Sequence, residues 1–287
     1  MSIAEKFLAL LDNLRVENLD ELAARFRAIT KQINTDFRNY PSDEDYSKFV
    51  GPIGRGTAIK TTKDIEMVVR LPGSLYGKYN SLSVNGPLSM LRDVKSSMAK
   101  AFPQQGLHLA EKAVVIPFAD MTFWVTPVVQ LGNGDYVAPD SNDGTWRRTL
   151  QLEEVEAINQ ANRMHKRKVK DLARMAHAWR QEWQVPLSHM LLDTLVVEFL
   201  NSDAYEDSQP FDRLIRDFLR FLAAQDPTQE SWQALGSGVV VARDGDFETK
   251  AREAYVRASR AVELGEAGDE AAAGAVWKTL FGAYFPD

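Results

Sequence analysis

Apolar residues recur at helical spacing near both ends of the chain and alternate only in its middle. Phe7, Leu10, Leu11 and Leu14 mark one stripe, and Leu19, Leu22, Phe26, Ile29 and Ile33 a second, so residues 1–37 read as two helices. Asn18 before Asp20 and Glu21 gives the second helix a cap and an acidic first turn. A polar loop is expected at 39–48 and a strand over the apolar run 67–71. Residues 73–86 are rich in Gly, Ser, Tyr and Asn and read as a loop. Leu88, Leu91, Val94 and Met98 restore the helical period until Phe102-Pro103. Strands are expected at 113–118 and 121–130, followed by a tight turn at 132–135 into Tyr136-Val137.

From Leu152 onward the pattern is almost entirely helical, over 153–183, 187–200, 210–224, 247–264 and 271–281. Residues 236–241 suit a short strand or a turn, and 263–275 read as an Ala/Glu/Gly-rich linker. The layout predicts an α/β (α+β) domain over residues 1–150 and a helical lobe over 151–287.

Composition narrows the chemistry. The 287 residues are 45% hydrophobic and 26% charged, ordinary for a globular chain. No apolar run is long enough for a membrane span, and the first residues lack a cationic leader, so a cytoplasmic protein without membrane association is expected. The absence of cysteine excludes disulfides, thiolate metal sites and cysteine nucleophiles. His108, His165, His177 and His189 have no metal-ligand spacing. A net charge of −6 argues against broad binding to duplex DNA.

One stretch carries the chemistry: VGPIGRGTAIKTTKDIEMVVRL, residues 50–71. Gly51, Gly54 and Gly56 allow a backbone turn to approach a ligand closely. Arg55 and Thr57 are candidate phosphate contacts, and a helix N-terminus at 57–60 would offer unpaired N–H groups. Asp64 and Glu66 lie two apart at the start of a strand, so both carboxylates face the same side. Paired carboxylates beside a phosphate cradle suit Mg²⁺ or Mn²⁺ bound with a nucleotide.

These residues resemble the nucleotidyltransferase superfamily that includes DNA polymerase β, whose pattern is Gly-Ser followed by Asp-x-Asp. "GRGTAI" and "DIEMVV" are more narrowly similar to the bacterial relatives of cyclic GMP-AMP synthase that signal against phage. The likeness extends through "FRAITKQINTDFR", "DGTWRRT", "DLARMAHAWRQEW", "LLDTLVVEFL" and "AVWKTLFGAYFP". It implies a polymerase-β-like core with a C-terminal helical lobe closing over a nucleoside triphosphate. In active relatives, metals held by three carboxylates join nucleotides into a cyclic or linear oligonucleotide.

The resemblance assigns Asp64 and Glu66 as catalytic and metal ligands, and Arg174 and Ser188 as triphosphate contacts. Trp146 would stack on a base or fill the core. Three positions depart from the pattern: Pro52 stands for the Ser, Glu66 for the second Asp, and Trp124 for the third carboxylate. Trp124 would fill the emptied metal pocket or stack on a base, and Asp120 reads as a strand-end cap rather than a ligand. Three functions follow: a nucleotide-binding sensor or regulatory subunit of a defence operon with impaired catalysis; a divergent active synthase using Mg²⁺; or an interaction subunit with a vestigial cleft. Partners would be a nucleoside triphosphate or oligonucleotide and a protein from the same operon.

Overall fold

The computed structural model describes residues 1–82 and 85–287. In chain order, α1 (Ile3–Asn13) and α2 (Leu19–Arg38) precede β1 (Ser47–Phe49), α3 (Gly51–Arg55) and β2 (Asp64–Arg70). Next come α4 (Ser74–Asn80), α5 (Gly86–Ala101), β3 (His108–Ala110), β4 (Ala113–Pro117), β5 (Thr122–Gln130), β6 (Tyr136–Pro139) and β7 (Trp146–Arg148). The remainder comprises α6 (Gln151–Met164), α7 (Lys168–Glu182), α8 (His189–Leu200), α9 (Phe211–Ala223), the hairpin β8 (Ser231–Gln233) and β9 (Val240–Ala242), α10 (Glu248–Glu266) and α11 (Glu270–Phe281).

The chain divides into two compact units, neither continuous in sequence. One gathers Met1–Val16, Arg55–Thr61 and Glu153–Asp287; the other gathers Glu17–Gly54 and Thr62–Leu152. The division expected at residue 150 therefore misplaces α1 and the segment 55–61, which belong with the helices. The reason is burial: Phe7, Leu10, Leu14 and Ile59 sit in the same apolar cluster as Trp179, Phe218 and Trp277. The Phe7 ring stands edge-on to Trp277 at 5.0 Å.

The other unit is built on a mixed sheet in the order β1-β2-β5-β4-β3, with β6 pairing β5 and β7 pairing β6. β2 and β5 are parallel, with Asp64 opposite Thr122 and Glu66 opposite Trp124. Ile65, Met67 and Val69 are buried on one face of β2, which leaves Asp64, Glu66, Val68 and Arg70 on the other.

Several elements differ from the sequence pattern. Residues 74–80 form α4 rather than loop, because burying Tyr79 and its hydrogen bond to Asp93 (2.6 Å) outweighs a Gly- and Asn-rich composition. Ser83 and Val84, in the same expected loop, lie outside the described residues. The polar stretch before Val50 ends in β1, paired to β2, and β3 and β7 are equally short strands. The expected helix 153–183 breaks at His165–Arg167, where Lys166 and Arg167 take φ of 51° and 71°. Residues 263–275 are mostly helical, at the end of α10 and the start of α11.

Candidate functional site

The helix at the glycine stretch begins at Gly51 and ends at Arg55, and 57–60 is not helical, contrary to the expected order of turn and helix. Gly51 and Gly56 take positive φ (57° and 74°), while Gly54 lies inside the helix. Gly51 is required twice over: its φ disfavours any side chain, and a Cβ there would overlap the Glu66 carboxylate. The Glu66 side chain therefore lies directly over the α3 backbone. Its Oε2 accepts a hydrogen bond from Gln151 Nε2 at 3.2 Å.

Asp64 is exposed and Glu66 half-buried on the same face of β2. Trp124, on the neighbouring strand and directly opposite Glu66, donates its indole N–H to Asp64 Oδ1 at 3.0 Å. The two carboxylates and the tryptophan thus form one cluster. Asp120 is engaged elsewhere: Arg25 holds it at 2.6 Å, and that hydrogen bond draws its carboxyl below the usual range. Trp146, on β7, packs its ring 5.0 Å from Tyr76 and is only half-buried.

In the helical unit, Arg55 and Thr57 turn inward instead of reaching for phosphate. They are 4% and 0% exposed. Arg55 Nε and Thr57 Oγ1 both donate to Asp193 Oδ2, at 2.7 and 2.8 Å, and His177 Nε2 donates to Oδ1 at 2.8 Å. Burial would raise the Asp193 pKa, but Arg55 and His177 hold it well below the carboxylate range. Beside them the His189 ring lies tilted against His177 with centroids 4.6 Å apart; burial first, then the neighbouring His177, push the His189 pKa down to about 3. The Ser188 hydroxyl caps α8 by accepting from the Leu191 N–H at 3.2 Å. Arg174 donates to Asp171 at 2.8 Å and to the Lys170 carbonyl at 3.2 Å.

Sequence reasoning missed two residues. Asp193 had a signal: it is the acid inside the apolar run Leu191–Val197, and a charge in such a run must find partners. Gln151 had none, because its hydrogen bond to Glu66 rests on reach and not on spacing.

The Second Messenger Oligonucleotide or Dinucleotide Synthetase (SMODS) domain matches residues 1–162, more than half of the chain and including the whole Gly51–Trp124 cluster. The chain belongs to the SMODS family. No curated protein sequence matches it. Among solved structures, the fold is similar to Escherichia coli MS115-1 CdnC in a complex described as CdnC:HORMA-deltaN. The TM-score is 0.72 at 15% identity, covering 98% of each chain. The same CdnC with ATP gives 0.70 at 15% identity, over 99% of this chain and 98% of that one. Bradyrhizobium diazoefficiens CdnG with GTP gives 0.63 at 12% identity, over 97% and 94%. The mixed sheet and its helices are thus the polymerase-β-like nucleotidyltransferase fold.

A SMODS fold implies a divalent cation, and the donor set here suits one. Asp64 and Glu66 would supply the hard carboxylate oxygens that Mg²⁺ or Mn²⁺ prefers. A second cation bridged by a third carboxylate is not matched. Trp124 offers only a donor, and among the described residues no group of three or more acidic, His or Cys side chains is placed to hold a metal ion. No helix among them is long and apolar enough to cross a membrane.

Proposed function

We propose that this SMODS-family protein binds a nucleoside triphosphate with one Mg²⁺ at Asp64 and Glu66, that its own synthesis is impaired or lost, and that it serves as a sensor or regulatory subunit in a bacterial antiphage system. The observation that carries this reading is the Trp124 indole donating to Asp64 Oδ1 at 3.0 Å while standing opposite Glu66. A bound Mg²⁺ would supply Lewis-acid stabilisation of the triphosphate. Asp64 and Glu66 would hold it, and Gln151 would keep the Glu66 carboxylate in place. With Trp124 at that position, no third carboxylate among the described residues would hold a second cation there. Pro52 likewise offers neither hydroxyl nor N–H to phosphate.

Gly51 favours a second reading. The close fit of its backbone to Glu66 keeps a shaped carboxylate site, which suits a slow, divergent synthase working with two ligands. By likeness to the E. coli complex, a protein partner is proposed, and a cytoplasmic location fits such a role.

The test is incubation with all ribo- and deoxyribonucleoside triphosphates and Mg²⁺ or Mn²⁺, reading pyrophosphate and products by mass spectrometry, with Asp64→Ala alongside. Silence, together with triphosphate raising the melting temperature of wild type but not of Asp64→Ala, is the expected result. A product that disappears in Asp64→Ala would overturn impairment in favour of the synthase.

A further inference from the structure

The helical unit carries a concentration of positive charge of its own. Between residues 157 and 174 lie Arg163, Lys166, Arg167, Lys168, Lys170 and Arg174 against Asp171 alone, in a chain whose net charge is −6. The break between α6 and α7 gathers most of them. Asn162 secures it: its carbonyl accepts the Arg167 N–H at 2.7 Å and its Oδ1 accepts the Lys170 N–H at 3.1 Å. The result is a cavity of about 840 Å³ walled by Arg163, Lys166, Arg167, Lys170 and Arg174.

These cations are poorly neutralised. Asp171, the carboxylate in the wall, is already held by Arg174 at 2.8 Å. Arg163 pairs with Glu156 at 2.8 Å and Lys166 with Asp207, but these are surface pairs worth at most about 1 kcal/mol and easily exchanged for a stronger anion. Lys170 Nζ has an amide oxygen, Asn159 Oδ1, at 2.7 Å. Burial, then Arg174 and Arg163, lower the Lys170 pKa. Its side chain also fills the space that a Cβ on Gly56 would need, coming within 2.9 Å.

We infer that this cavity binds the phosphate backbone of a single-stranded oligonucleotide. The walls offer cations and the amides of Asn159 and Asn162, with no aromatic or aliphatic side chain to receive a base. Recognition there is of phosphates and tolerant of sequence. Arg167 and Arg174 are about 10 Å apart along α7, and Arg163 adds a further cation from α6. That span reaches about two or at most three successive phosphates of an extended strand, still more than a single phosphate group would occupy. Arg174 is the residue shared with the triphosphate reading, so the test leaves it intact.

The experiment is fluorescence anisotropy of a labelled ten-residue oligouridylate without divalent cation, from low to moderate salt. Unlabelled duplex and inorganic tripolyphosphate serve as competitors. With two to three phosphates engaged, log affinity falls with log salt at a slope of about −2. The triple substitution Arg163→Gln, Lys166→Gln and Arg167→Gln, all at exposed or half-buried positions, is expected to weaken binding at least tenfold. The slope should shrink by about 1. Asp64→Ala is expected to lose triphosphate protection yet bind the oligonucleotide as wild type, so the two readings fail separately. Unchanged binding in the triple variant, or its loss in Asp64→Ala, overturns the proposal. Duplex competing better than single strand, or tripolyphosphate displacing the strand at equal phosphate concentration, does so equally.

Discussion

Asp193→Asn tests the polar cluster that holds residues 55–61 within the helical unit. The carboxylate is fully buried and takes three donors: Arg55 and Thr57 on one oxygen and His177 on the other. Asparagine keeps the shape but offers one oxygen and turns an amide toward the remaining donors. Arg55, 4% exposed, is left with Glu154 at 4.0 Å as its nearest carboxylate. Breaking one side of a buried pair costs about 3–5 kcal/mol. At roughly 2–4 °C per kcal/mol for a unit of this size, the melting temperature should fall by about 10 °C. The sign with pH is fixed. A depressed carboxylate stabilises the fold fully above its unfolded pKa of about 4 and loses that contribution as pH falls toward the folded value. The gap between wild type and Asp193→Asn, followed by calorimetry, should stay constant from neutral pH to about 4 and close only below it. A fall under about 2 °C at pH 7, or a gap that closes between pH 7 and 5, would refute the reasoning.

Other perturbations bear on the carboxylate face and its neighbours. Gly51→Ala combines a left-handed φ with overlap on Glu66, so thermal melts should show a loss of about 2 kcal/mol and a weaker rise with Mg²⁺ and triphosphate. Trp124→Asp removes the indole from Asp64 and adds a third carboxylate opposite Glu66; pyrophosphate release should rise above wild type in Mn²⁺ or Mg²⁺, and an unchanged rate would count against the one-cation reading. His189, held neutral down to about pH 3, should cost stability as pH drops below about 6.5, where the unfolded chain takes up a proton and the folded one does not. His189→Gln should flatten that part of the stability–pH curve, seen in denaturant titrations at pH 7, 6 and 5.

Much of the sheet was legible because its alternation has a period of two. Once Met67 and Val69 are read as core, Asp64 and Glu66 must face the other way, and β2 and β5 follow. α4 was not legible, since its composition favours loop and only Tyr79 burial outweighs it. Arg55 and Thr57 show the limit most clearly. Beside glycines they have the chemistry of a phosphate site, yet an acid 138 residues from Arg55 claims both side chains. No local pattern reports a partner that distant. Trp124 was legible as a departure, whereas its bond to Asp64 needed the register of two strands.

The path of residues 55–61 also governs how the protein can be made. This short strap leaves the sheet-bearing unit at Gly54 and rejoins it at Thr62, yet it is housed with residues encoded after position 152. A chain emerging from the ribosome can pair its strands early, but the carboxylate that Arg55 hydrogen-bonds, Asp193, arrives only with α8. The same holds for Phe7, whose aromatic neighbours Trp277, Phe281 and Phe285 come last. Such long sequence separations slow folding and leave apolar surface waiting in the interim. A fragment ending near residue 152 would therefore leave its first helix and residues 55–61 without the helices they pack against.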